Sequence, residues 1–289
     1  MRATKKTALV FGGSAQIGEC LLVRLHEAGW NAVAVSRSEH AALPGVRWLR
    51  GDLSNLEGAP TQVDAIFSCG PLGLFAQWLA DADITAPRVI AFGSTSADTK
   101  QDSSDAAERE VAASLRAAEA RLFEVAQRRG IAATVLRPTL VYGLGRDANL
   151  SRIAALATRL HGFALPSDAT GLRQPVHADD LAIAALACVD APATHGRTYA
   201  VPGGDTMTYR DMVLRVLAAL PARPRLFVLP PLLFRALLRV ARMAGLASGF
   251  GDAALARMRE DLAFDAEPAR RDFGYAPRAF RPDAGMFGL

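Results

Sequence analysis

The stretch that most limits the fold is "TALVFGGSAQIGECLLVRL", Thr7 to Leu25. A short apolar run ends in a glycine pair, and a helix-like pattern follows at once. Gly12, Gly13 and Gly18 sit at the junction. A chain turns that sharply from strand into helix where side chains are missing, because glycine tolerates backbone angles that other residues resist. A helix starting there offers unpaired N–H groups and the positive end of its dipole to an anion such as a diphosphate. A glycine cluster alone is a weak signal. Placed between a first strand and a first helix, at the head of a βα series, it becomes a strong one.

That series is present. Short apolar runs at 7–12, 31–37, 46–52, 65–70, 88–94 and 133–139 alternate with longer amphipathic segments, most clearly Ile17–Ala28 and Asp105–Arg129. Such alternation predicts right-handed βαβ crossovers and a parallel sheet covered on both faces. The expected class is α/β, a Rossmann-type doubly wound parallel sheet with a smaller, mostly C-terminal substrate lobe. Residues 1–145 plus about 175–202 are expected in the dinucleotide-binding part, and 146–174 with 203–289 in the lobe. Helices near 148–160, 209–220, 232–244 and 253–262, with a strand near 198–201, fill the later chain. The polar segment Ala97–Asp105 reads as a mobile loop. Hydrophobic residues make up 51% of the 289, ample for a sizeable core.

Further motifs follow in a familiar order: "RGDLSN", "FSCGP" after the fourth strand, "GSTS" after the fifth, "LRPTLVYGLGRD" and "QPVHADDLA". With "GGSAQIG" they resemble the extended and atypical short-chain dehydrogenases/reductases, including the sugar-nucleotide epimerase/dehydratase group. The resemblance covers most of residues 5–205. It departs at Ala15, which replaces the middle glycine of the family's GxxGxxG loop. It implies cofactor contacts from Gly12, Gly13, Ser14, Ala15, Gln16, Ile17 and Gly18. It extends them to Asp52, which matches an acid at the adenine amino group, and to Leu53, Cys69, Gly70 and Pro138.

The end of the second strand chooses the dinucleotide. An NAD-binding protein commonly places Asp or Glu there to accept from the ribose hydroxyls. This chain has "VSRSEH", and Arg37 suits the 2′-phosphate of NADP through a charge-assisted contact, with Ser36 and Ser38 as hydroxyl donors. NADP is the expected cofactor and NAD the alternative.

The resemblance also exposes a gap. Relatives carry a Tyr and, four residues later, a Lys on the helix after the fifth strand, where they perform acid–base catalysis. Aligned on Ser114 and Glu119, those positions are Val111 and Leu115. Tyrosine occurs only at Tyr142, Tyr199, Tyr209 and Tyr275, none with a lysine four residues on. The remaining catalytic candidates are Ser94 and Thr95, which would polarise a carbonyl, and Tyr142. Lys100 reads as a solvated loop residue, and His177 as a structural hydrogen-bonding group. Arg116 reads as facing solvent or a carboxylate. Arg137, Arg146 and Arg173 are candidates to face the pocket and hold an anionic substrate group, against surface salt bridges for each.

The net charge of +4 comes with no basic block or aromatic-basic interleaving, so nucleic acid is not an expected partner. Cys20, Cys69 and Cys188 are few and scattered, which argues against disulfides or a metal site and for a reducing cytoplasm. The apolar stretch from Leu226 to Ala247 contains two prolines and three arginines, so no membrane span is expected. Its helical part is expected to pack against the protein, with a membrane surface or a second copy of the chain as alternatives. The expected function is an oxidoreductase or epimerase-like enzyme acting on a small carbonyl, alcohol or nucleotide-sugar. A dinucleotide sensor or accessory subunit is the alternative.

Overall fold

A computed structural model describes residues 5–243 and 252–288. The last residue of the helix expected over 232–244 lies outside the described residues. In chain order the elements begin with β1 (Thr7–Phe11), α1 (Gln16–Glu27), β2 (Asn31–Ser36), β3 (Val46–Arg50), β4 (Ala65–Ser68) and α2 (Leu72–Asp81). Then come β5 (Arg88–Phe92), α3 (Ser96–Thr99), α4 (Ala106–Arg128), β6 (Ala132–Pro138), β7 (Val141–Tyr142), α5 (Leu150–Leu160) and β8 (Gly162–Pro166). The rest are β9 (Leu172–Arg173), β10 (Val176–His177), α6 (Ala178–Val189), β11 (Arg197–Val201), β12 (Met207–Thr208), α7 (Tyr209–Ala219), β13 (Arg225–Leu229), α8 (Pro231–Met243), α9 (Asp252–Arg257) and α10 (Glu267–Phe273).

Seven strands form one parallel sheet in the order β11-β6-β5-β4-β1-β2-β3. The order reverses at β1, and crevices for ligands open at such a switch, beyond the carboxyl ends of the strands. Side chains alternate across the sheet as extended backbone requires. Ala8 and Val10 join the core under α1 and α6, while Leu9 and Phe11 join the core under α2 and α4. The doubly wound α/β fold is thus the observed one, and the six expected strands appear with C-terminal ends shorter by a residue or two, the sixth also starting one residue earlier. The stretch near 198–201 extends this sheet as β11, paired with β6.

A third apolar cluster joins α5, α7, α8, β8 and the tail residues Phe280 and Phe287. There the reading from sequence needs correction. The helix expected over 253–262 stops at Arg257, because the following chain is drawn alongside β9. Leu262 N–H donates to Leu172 O, and Phe264 N–H donates to Gln174 Oε1. The segment 97–105 is not an open loop either. It contains α3, and Arg116 donates to Ala97 O and Gln101 Oε1 while Arg137 pairs with Asp98.

One buried cation ties the sheet to its cover. Arg88 is 3% exposed and has no carboxylate partner. Its guanidinium donates to the carbonyls of Cys188 and Ala132 and to the hydroxyls of Thr134 and Thr194, joining β5, β6, α6 and the turn before β11. Replacing it with Met would take a charged donor from four acceptors inside the fold. Arg88→Met is expected to lower unfolding stability by about 2–4 kcal/mol, read as a reduced urea midpoint with unchanged slope.

Candidate functional site

The glycine turn at the end of β1 is built around a contact that leaves no room for side chains. Gly12 adopts φ +69°, and an added Cβ would lie 3.0 Å from the backbone of Cys69 on the neighbouring strand. A Cβ on Gly18 would lie 2.0 Å from Gly12 O. The first turn of α1 is thereby pressed onto the loop. Ala15 caps that helix without a side-chain bond, so the leading N–H groups of α1 keep their donors for a ligand. Ala15 itself sits in ordinary extended backbone at φ −78°, where its methyl is unstrained. A short bare turn with free amides at a helix N-terminus fits the diphosphate of a dinucleotide.

The loop after β7 lies against this turn. Leu144 N–H donates to Gln16 Oε1 at 3.2 Å, and Arg146 donates to Ser14 O at 2.6 Å while pairing with Glu19. Arg146 therefore stands at the dinucleotide end rather than in the substrate cavity. At the end of β2, Ser36 Oγ lies 2.8 Å from His40 Nε2 and 3.4 Å from Ser14 Oγ, and His40 stacks on Trp48. Arg37 is exposed beside Asp52. Asp52 accepts from the N–H groups of Ser54 and Asn55, which hold its carboxyl below the usual range with Arg37 contributing. Leu53 and Gly70 face each other nearby, since a Cβ on Gly70 would come 3.7 Å from Leu53. Burial pushes the Cys69 thiol up to about 12, so it stays protonated.

From Gln16 a cavity of about 560 Å³ runs along the carboxyl ends of β5 and β6 toward α5, α7 and the 257–264 segment. Ser94 and Thr95 both line it, and their hydroxyls differ. Thr95 Oγ1 donates to Pro138 O at 3.2 Å, which commits its proton. Ser94 Oγ accepts from Ser96 N–H at 3.1 Å, which leaves its own proton to give. Lys100 lines the same wall, with Glu108 at 3.8 Å. Burial, then Arg257, lowers its pKa from the usual lysine value.

The cavity is cationic. Arg152, Arg173 and Arg257 line it with Lys100 and one acid, Asp147, and Glu108 just outside the lining pairs with both Arg257 and Lys100. Asp147 is occupied at the start of α5, accepting from Asn149 and Ser151. Arg173 is 5% exposed and donates to the carbonyls of Leu172, Glu260 and Arg257, with its guanidinium 5.2 Å from the Tyr209 ring. Of the three arginines considered from sequence, it is the one the cavity receives. Arg137 pairs bidentately with buried Glu119 at 2.8 and 2.6 Å and with Asp98.

Val111 and Leu115 do not line the cavity; Ser96, Thr99 and Lys100 form its wall there. Tyr142 lies outside the lining as well. Its ring meets His177 and Phe280 edge-on, and burial pushes its hydroxyl up to about 12. His177 caps α6, accepting from Asp179 N–H at 3.1 Å, and burial lowers its pKa with help from Arg278. Pro138 closes β6, and its carbonyl is the anchor for Thr95. The roles of Lys100, Arg257 and Tyr209 in the cavity carry no local signal in the sequence, because long-range packing brings them together.

Comparison with known proteins agrees with this architecture. Residues 76–201 match the NAD dependent epimerase/dehydratase family. A 2-alkyl-3-oxoalkanoate reductase from Stenotrophomonas maltophilia is 28% identical, over 93% of this chain and 94% of that protein. An epimerase from Methanothermobacter thermautotrophicus superposes with TM-score 0.72 at 15% identity, covering 96% of this chain and 89% of its own. A Bordetella bronchiseptica enzyme solved with NAD+ and UDP gives TM-score 0.69 at 17% identity, covering 98% and 91%. The chain resembles the NAD-dependent epimerase/dehydratase family, as its motifs imply, and shares its fold.

Gly18→Ala drives a methyl into Gly12 O and must displace the turn. It is expected to weaken dinucleotide binding at least about tenfold by calorimetry, whereas Ala15→Gly changes Kd by no more than about twofold.

Proposed function

We propose that this chain is an NADP(H)-dependent short-chain oxidoreductase that reduces a carbonyl, or oxidises the matching alcohol, on a substrate carrying a negative charge. One observation carries the reading. Ser94 keeps a free hydroxyl proton at the carboxyl end of β5, inside a cavity continuous with the dinucleotide turn. The bound nicotinamide supplies or accepts the hydride. Ser94 Oγ donates to the substrate oxygen and holds it where charge develops during reduction. Lys100 Nζ delivers the proton that oxygen needs, in place of the missing Tyr/Lys pair. Thr95 fixes the loop through Pro138 O. Arg152, Arg173 and Arg257 favour a carboxylate or phosphate elsewhere on the substrate. The similar oxoalkanoate reductase, whose name describes an acid bearing a carbonyl, supports this class.

NADP is proposed over NAD because the end of β2 presents Ser36, Arg37 and Ser38 where an acid would serve NAD. Glu39 follows too late, highly exposed and 3.9 Å from Arg50. The similar structures with a named cofactor hold NAD+ or NADH, so the choice rests on this chain's own residues.

NADPH oxidation with a panel of oxo acids and oxo phosphates tests the activity. Ser94→Ala is expected to lower kcat/KM by about 10²-fold, with a smaller loss for Thr95→Val. Lys100→Met should lower kcat by about 10²-fold or more and abolish the alkaline fall in reduction rate. That fall should begin below the pH typical of a lysine, since the protonated form is the donor and burial lowers its pKa. Tight NADP(H) binding without turnover, indifferent to both changes, would favour the sensor reading. Arg37→Asp should weaken NADP more than NAD in a direct binding titration; equal losses would remove the phosphate-reading role.

A further inference from the structure

Helix α8 shows its surroundings an unusual face. Phe234 and Leu238 are buried in the third apolar cluster, one turn apart. Placed at 100° per residue, the exposed residues Leu232, Met243, Ala236, Val240, Leu233 and Leu237 fill a continuous apolar arc of roughly 140° beside that ridge. Leu232 and Met243 are 80% and 81% exposed. Phe227, on the adjoining β13, is 53% exposed. Arg235 and Arg239 are also exposed, on the far border of the arc. The expectation that this helix only packs inward is therefore half met.

Along the chain on either side of it, the charge has one sign. Between Asp211 and Asp252 the sequence has six arginines and no acidic residue. Exposed leucines whose charged neighbours on α8 itself are arginines match a surface that is apolar beneath and anionic above. A second copy of the chain would bring arginines against arginines. No helix among the described residues is long and apolar enough to cross a membrane, so a contact with lipid is peripheral.

We propose that α8, with Phe227, docks this protein on the surface of an anionic lipid bilayer. The apolar arc enters the boundary between headgroups and acyl chains, and Arg235 and Arg239 meet the phosphates.

The test is co-sedimentation of the full chain with vesicles of phosphatidylcholine alone and with about 30% phosphatidylglycerol, at low and high salt. Binding is expected on the anionic vesicles, at least about tenfold weaker on the neutral ones, and weakened by salt. Arg235→Gln with Arg239→Gln should weaken it by roughly fivefold per residue. Leu233→Ser with Leu237→Ser should abolish it while NADP(H) binding persists, showing that the fold is intact. Three results would overturn the proposal: no vesicle binding, equal binding to both lipids, or a wild-type dimer in light scattering that these serine variants convert to monomer. The readout requires no turnover, so it is independent of the proposed reaction.

Discussion

No side-chain atom fits between Gly18 and the carbonyl of Gly12, and the first crossover is organised by that contact. It pulls the start of α1 against the end of β1 at the point where strand order reverses. The helix dipole and the unpaired amides then face the crevice beyond the strands. The loop 144–146 rests on the same turn through Gln16 and Ser14. The cavity includes Gln16, so this close approach sets where the glycine turn meets it. Alanine at position 15 is tolerated because that residue is a helix cap in extended backbone, away from the tight contact.

The loss of the Tyr/Lys pair is accompanied by a rebuilt wall. α3 and Lys100 line the cavity, and Arg137 holds α3 to α4 by bridging Asp98 and Glu119. A bidentate pair with a buried carboxylate is strongly directional. Glu119, four residues beyond the vacated Lys position, thus supports the segment that carries Ser94 and Thr95. Glu119 beside the family's acid–base position is part of the scaffold, and Lys100, from the adjoining loop, lines the cavity.

What could be read from the sequence was whatever neighbouring residues decide. The six strands and the glycine turn are local patterns, and they appear where the apolar runs and glycines put them. α2 and α6 are short and rich in apolar residues, a run that periodicity alone does not separate from a buried strand. The helical pattern after residue 253 ends early, since its propensity gives way to hydrogen bonds with Leu172 on a distant strand and with Gln174 just beyond it. The segment 97–105 looked mobile because it is polar, yet its polar groups are engaged by arginines nearly 20 and 39 residues away. Likewise Ser94 and Thr95 are equivalent in sequence. Only the carbonyl of Pro138 and the amide of Ser96 separate a committed proton from a free one.

All but three of the 33 basic residues are arginine, and the structure shows three uses for them. Arg88 and Arg173 are buried without a carboxylate, each sharing its planar donors among acceptors that a lysine ammonium could not span. Arg24 and Arg278 clamp Asp179 and Asp180 at the start of α6, holding the Asp179 carboxyl below its usual range. Others line the cavity or border the apolar face of α8. A net charge of +4 therefore says little about any partner by itself. What carries meaning is where a guanidinium has no acid nearby. Inside the fold, carbonyls and hydroxyls take that place for Arg88 and Arg173, and along α8 Arg235 and Arg239 border exposed leucines, the juxtaposition from which the proposed lipid contact is argued.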